Sequence, residues 1–142
     1  MSMSEKIIAA REAQDYRGLL THFPYAQLIG MQALQLGEQL VFVLPADKDN
    51  IGNRTLPAIH GGCIGGFMEN AARIHVLSLA GVERLPKVVN FSLDYLRPGR
   101  FRETYASCEV VRQGNKAVNV SIKAWQTHNN ELIANARTHL LL

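Results

Sequence analysis

His60-Gly61-Gly62-Cys63-Ile64-Gly65-Gly66-Phe67-Met68-Glu69 joins a glycine-rich helix entrance to a lone carboxylate in an otherwise apolar run. Glycines at 61 and 62 let a ligand come close to the backbone, and the unpaired N–H groups of a helix's first turn form a site for an oxyanion. Glu69 follows two turns further in, placed to act as base or nucleophile. A carboxylate in mostly apolar surroundings is costly without partners, which asks for a functional explanation. Plainer roles stand beside these. Glu69 can be a structural acid paired with Arg73 at i,i+4 spacing, and the glycines can serve close helix packing, which suits Gly65 and Gly66 better than the mouth positions.

From Gly62 to Leu79 the residues Ile64, Phe67, Met68, Ala71, Ala72, Ile74, Val76 and Leu77 make a helix apolar around most of its circumference, as a centrally buried one is, with Gly81 as its stop. Four strand-like segments follow, at 86–96, 101–112, 116–127 and 132–142, separated by Pro98-Gly99, Gln113-Gly114-Asn115 and Asn129-Asn130. In the third, Val118, Val120, Ile122 and Ala124 alternate with Asn119, Ser121 and Lys123, so one face is buried and the other wet. Upstream, residues 31–36 and 39–44 flank Gly37-Glu38 as a hairpin, and 45–59 read as a loop into the motif. The spacing of Ile7, Ala10, Tyr16, Leu19 and Leu20 predicts one amphipathic helix over 4–20, capped by Ser4, with Pro24 just past its end. A long antiparallel sheet with one very apolar helix on a single face is an α+β layer arrangement, and 1–142 reads as a single domain with residues 1–24 appended as an N-terminal helix.

Composition narrows the function. The chain is 47% hydrophobic and 19% charged, as soluble globular proteins are, and its net charge of +3 comes from scattered Lys and Arg rather than a basic run, which argues against nucleic acid. Apolar runs are too interrupted to cross a bilayer. The five His residues show no zinc spacing with Cys63 and Cys108, so no metal is expected. With no signal peptide at the N-terminus, the two Cys read as buried free thiols of a cytoplasmic protein, and Cys63 has no neighbouring base that would activate it. Trp125 and Tyr95 read as core or interface aromatics.

A loop, then His-Gly-Gly, then a buried helix with an acid nine residues after the His, then a strand ending Asp94-Tyr95-Leu96-Arg97-Pro98-Gly99, resembles the hotdog-fold acyl-CoA thioesterases of the small phenylacetate-pathway and 4-hydroxybenzoyl-CoA type. The resemblance covers residues 33–142 and implies a long antiparallel sheet wrapped around a central helix. It also implies hydrolysis of acyl-CoA to free acid and CoA, with no cofactor, in a homodimer or homotetramer whose sites form between subunits.

Carried over by position, Glu69 resembles the catalytic acid, and Gly61 the residue whose N–H polarises the thioester carbonyl. Asn53 resembles the loop amide that positions water, one residue further from the His than is commonest; an Asx-turn is its plainer role. His60 resembles the motif His that shapes the loop. Val88 stands where several relatives carry a hydroxyl, and Arg73 where some carry Thr. Gly62, Arg73, Val88 and Asn90 are expected to bind substrate near the reacting group, and Arg97, Pro98, Arg112, Gly114 and Lys116 toward the CoA phosphates, with Arg100 as a further cation. Phe67, Met68, Val88 and the N-terminal helix are expected to set the pocket volume. Two rivals remain: a dehydratase or hydratase of the same fold using a loop His as base, and a non-catalytic acyl-CoA binder.

Overall fold

The structure, a computed structural model, describes residues 1–53, 55 and 57–142, apart from the side chain of Asn53. In place of one N-terminal helix there are three: α1 (Met3–Glu12), α2 (Tyr16–Leu20) and α3 (Pro24–Leu28). The break has local causes. Gln14 adopts φ 53°, and the Asp15 side chain caps α2 by accepting from Gly18 N–H at 3.0 Å, a role short acidic side chains fill better than helix interiors. Ser2, not Ser4, caps α1, accepting from Glu5 N–H at 3.1 Å. Pro24 starts α3, where its missing N–H costs nothing. The apolar period runs through the break because Ile7, Leu19, Leu20, Phe23 and Ala26 are all buried.

The predicted hairpin forms as β1 (Gln32–Leu36) and β2 (Gln39–Leu44), with Gly37 at φ 64° in the first turn position, where glycine is favoured. The described residues of the following loop hold more regular structure than its composition suggests. They form a 3-10 turn (Lys48–Asn50) and a small pair, β3 (Ile51–Asn53) and β4 (Ala58–Ile59), and Ile59 N–H donates to the Gly99 carbonyl at 2.7 Å. Helix α4 (Gly61–Leu77) comes next; Gly81 lies in the loop beyond it at φ 85°. The last four strands are β5 (Lys87–Tyr95), β6 (Thr104–Gln113), β7 (Ala117–Trp125) and β8 (Leu132–Leu141).

The main sheet has the order β1-β2-β6-β7-β8-β5, every pair antiparallel, and α4 packs against β2, β5, β6, β7 and β8. Its inner face carries the alternation foreseen in β7: Val118, Val120, Ile122 and Ala124 are buried. Phe42, Ala106, Ala124 and Ala134 stand in register across four strands, and the three alanines leave space for helix side chains. Phe67 and Met68 are fully buried, each worth about 1.5–3 kcal/mol of apolar burial. They belong to the core, not to a pocket. Cys63 is buried and Cys108 only partly so, both as free thiols. No helix among the described residues is long and apolar enough to cross a membrane.

Candidate active site

His60 is the N-cap of α4: its Nδ1 accepts from Gly62 N–H at 2.9 Å, and its carbonyl accepts from Cys63 and Ile64 at 3.0 and 3.2 Å. His60 N–H in turn donates to Asn50 O at 2.7 Å, so the backbone of His60 ties the preceding loop to the mouth of α4. With Nδ1 accepting, a neutral ring carries its proton on Nε2. The cap also uses the Gly62 amide, which is therefore not free for a ligand. Gly61 N–H has no acceptor among the described residues. Its carbonyl accepts from the Tyr95 hydroxyl at 2.6 Å, and a Cβ at Gly61 would stand 3.3 Å from that oxygen. Tyr95 is thus not a core aromatic. It is 54% exposed and pins the mouth of α4.

Glu69 is half-buried midway along α4 and lines a cleft of about 380 Å³ with His22, Phe23, Pro24, Tyr25, Gly66, Asn70 and Arg73. Among the described residues its carboxylate accepts no hydrogen bond and has no cationic nitrogen within 4.0 Å. The pairing with Arg73 does not form, because that guanidinium has other partners. Arg73 Nε donates to Pro86 O at 2.9 Å, and the group lies over the Phe23 ring, 4.7 Å from its centroid. Burial lowers the Arg73 pKa and the nearby Glu69 charge opposes that shift, so the two interact through space without a contact. The Asn70 side chain, buried beside them, donates to Gly66 O at 2.8 Å.

The N-terminal segment supplies one wall of this cleft. A Cβ at Gly66 would lie only 2.2 Å from Tyr25 Cε1, so the ring rests directly on the helix backbone. Burial raises the Tyr25 pKa, and the adjacent Cys63 thiol adds to it. Gly65 faces Leu93 and Tyr95 in the same close-packed way, as expected for that pair of glycines.

The other expected residues separate into three places. Asn53 closes β3, and its side chain lies outside the described residues. Val88 and Asn90 sit on either side of a bulge in β5, Asn90 accepting from Thr138 Oγ1 at 2.7 Å through its carbonyl, and neither lines the Glu69 cleft. Arg97 and Pro98 join Arg100 and Arg102 in a second cleft, of about 270 Å³. There Arg97 Nη1 donates to Leu132 O at 2.6 Å with Glu131 at 3.9 Å from its Nε, and Arg102 Nη1 donates to Thr127 Oγ1 at 3.2 Å. Arg112, Gly114 and Lys116 lie at the opposite end of the sheet, around the β6–β7 turn. Seven steps of β8 separate the partners of Tyr95 and Lys87, about 24 Å at strand rise, so one chain does not unite the two cationic groups. Among the described residues no three His, Cys, Asp or Glu side chains gather as metal ligands.

A family model described as the thioesterase superfamily matches residues 56–133. No curated protein matches the chain. A crystal structure of a protein from Chromobacterium violaceum is 38% identical, with 97% of this chain and 96% of that one covered and a TM-score of 0.80. A thioesterase family protein from Silicibacter pomeroyi is 20% identical over 91% and 96% of the chains with TM-score 0.76. The E. coli PaaI protein from the phenylacetic acid degradation operon is 17% identical over 94% and 99%, with TM-score 0.73. These likenesses bear out the hotdog fold read from the His-Gly-Gly motif and the strand pattern. The family match spans more than half of the sequence and takes in both Glu69 and the mouth of α4, so the chain belongs to the thioesterase superfamily, whose reaction is thioester hydrolysis.

Proposed function

We propose that the chain hydrolyses acyl-CoA thioesters to the free acid and CoA. Glu69 activates water or attacks the thioester itself, and Gly61 N–H donates to the developing oxyanion. The observation that carries this is the half-buried Glu69 carboxylate, open to a cleft and without a hydrogen bond or ion pair among the described residues. An acid kept for structure would be paired, since a half-buried charge left alone costs stability.

On the base route Glu69 takes a proton from water as the water oxygen adds to the thioester carbon. The intermediate then collapses, the C–S bond breaks, and the thiolate leaves and takes up a proton. On the nucleophilic route the carboxylate oxygen displaces the thiolate to form a mixed anhydride, which water cleaves. Neither route calls for a metal or redox cofactor, because a thioester is already activated.

Gly61 and Glu69 are eight residues apart, about 12 Å along one helix, too far for both to act on one thioester. The reading therefore takes Gly61 of one chain and Glu69 of the partner subunit, and a two-fold contact makes this site twice. Edge strand β5, with Val89 and Tyr95 exposed and Leu96 exposed just after it, is a surface for such a partner to cover. The Arg97, Arg100 and Arg102 cleft lies at the end of the sheet where α4 begins, which supports that end for the CoA phosphates. Arg112 and Lys116 reach it only from a partner, if the β5 edges pair antiparallel. A dehydratase using His60 as base is disfavoured because the basic nitrogen, Nδ1, is occupied by Gly62 N–H.

Release of CoA thiol across an acyl-CoA panel tests the reading, with Glu69→Gln as the decisive variant. It keeps the shape of the acid but not its basicity, so kcat falls about 100-fold or more while KM and the melting temperature stay near wild type. A near-normal kcat would make Glu69 structural and favour a non-catalytic acyl-CoA binder.

A further inference from the structure

The walls of the Glu69 cleft are unequal. On one side lies α4; on the other lies α3, which the sequence pattern does not show as an element of its own. Gly66 stands one turn before Glu69 on the same helix face, and a methyl group there would collide with the Tyr25 ring at 2.2 Å. The ring is therefore held against the backbone beside the acid, 39% exposed, with its open part toward the cleft that both residues line. The neighbouring wall is equally fixed: Phe23 is 1% exposed beneath the Arg73 guanidinium, which the Pro86 carbonyl anchors. The Tyr25 ring and the Arg73 guanidinium, backed by Phe23, thus bound the space next to the reacting carboxylate.

We infer that Tyr25 sets the acyl-chain length that the site accepts: its ring, seated in the notch at Gly66, is the wall against which the acyl group stops, so the cleft takes short acyl groups and excludes long chains. The inference rests on the hydrolase reading. Each methylene accommodated or refused by an apolar wall changes kcat/KM by roughly 10- to 200-fold, so a displaced ring is easily read.

The experiment compares kcat/KM for acetyl-, hexanoyl-, benzoyl- and dodecanoyl-CoA in wild type, Tyr25→Phe and Tyr25→Ala. Wild type is expected to disfavour dodecanoyl-CoA by about tenfold or more relative to its best shorter substrate. Tyr25→Phe keeps that order because the ring remains, whereas Tyr25→Ala shifts the ratio of long to short by about tenfold or more toward long. A folded Tyr25→Ala with the wild-type order overturns the assignment. A wild-type profile that is flat from acetyl to dodecanoyl, or rises with length, does the same even if the Ala variant does not fold. No thiol release by wild type from any of the four overturns the hydrolase reading, and with it this inference, so the two failures are distinguishable.

Discussion

At the scale of single residues, Arg73 shows how tertiary partners override helical spacing. Arg73 stands four residues after Glu69, a geometry that permits an ion pair, yet the Pro86 carbonyl and the Phe23 ring hold its guanidinium. Such a choice between acceptors is decided by residues far along the chain. His75, in the last turn of α4, has a buried Nδ1 with no partner among the described residues, and burial lowers its pKa from 6.5. The unfolded chain binds the proton more tightly than the folded one, so stability is complete above about pH 6.5 and declines as pH falls below it. Melting temperature should drop between pH 7.5 and pH 5, and His75→Gln should flatten part of that slope. An unchanged slope in the variant would place the pH dependence elsewhere. The helix entrance after His60 and the place of Glu69 on α4 were legible because glycine-rich mouths and apolar helices are local patterns, whereas the Nδ1 cap on Gly62 was not. Nor were Tyr25 and Tyr95, since their partners Gly66 and Gly61 lie 41 and 34 residues away.

Among the elements, the strands of the main sheet and α4 follow directly from apolar periods of 2 and 3.6, whereas the row of alanines under the helix and the bulge in β5 are details that the periods do not convey. The N-terminal segment departs most. Its apolar spacing is compatible with one helix, and the break at Gln14 depends on a positive φ and on the Asp15 cap, which outweigh the period. That segment also holds the far end of α4. Arg11 Nε donates to Leu77 O at 2.8 Å and its Nη2 to Val82 O, placing a cation against the carbonyl end of the helix dipole. Burial lowers the Arg11 pKa, and Glu83 and then Glu12 oppose the shift. Arg11→Ala leaves those carbonyls without their donor and should cost about 2 kcal/mol. For a chain of this length that lowers Tm by roughly 5–10 °C in a thermal melt. Arg11→Lys should restore only part of the loss, because an ammonium does not reproduce the directed fork. A melt of Arg11→Ala matching wild type would show that the two bonds contribute nothing net.

For the whole molecule, the separations within one chain become the argument. The expected site residues split between the mouth of α4, the middle of α4 and the far end of the sheet, and no pattern in a linear sequence measures those distances. The helix rise does: with about 12 Å between Gly61 and Glu69, the proposed reaction takes its amide and its acid from two copies of the chain. A mixing experiment follows from two-fold symmetry. Glu69→Gln removes the acid, and Gly61→Val puts a branched side chain where the Tyr95 hydroxyl already stands 3.3 Å from a Cβ, which distorts the oxyanion donor. Each variant alone should be nearly inactive. In a co-refolded mixture half of the dimers are mixed, and each mixed dimer holds one site with Gly61 from the first variant and Glu69 from the second, so about a quarter of wild-type activity should return. Light scattering on the same samples should report a dimer or a larger assembly. Activity that stays at the level of the separate variants, in a mixture shown by mass spectrometry to contain mixed dimers, would mean that each chain carries its own site and that Gly61 does not serve the carboxylate of the partner.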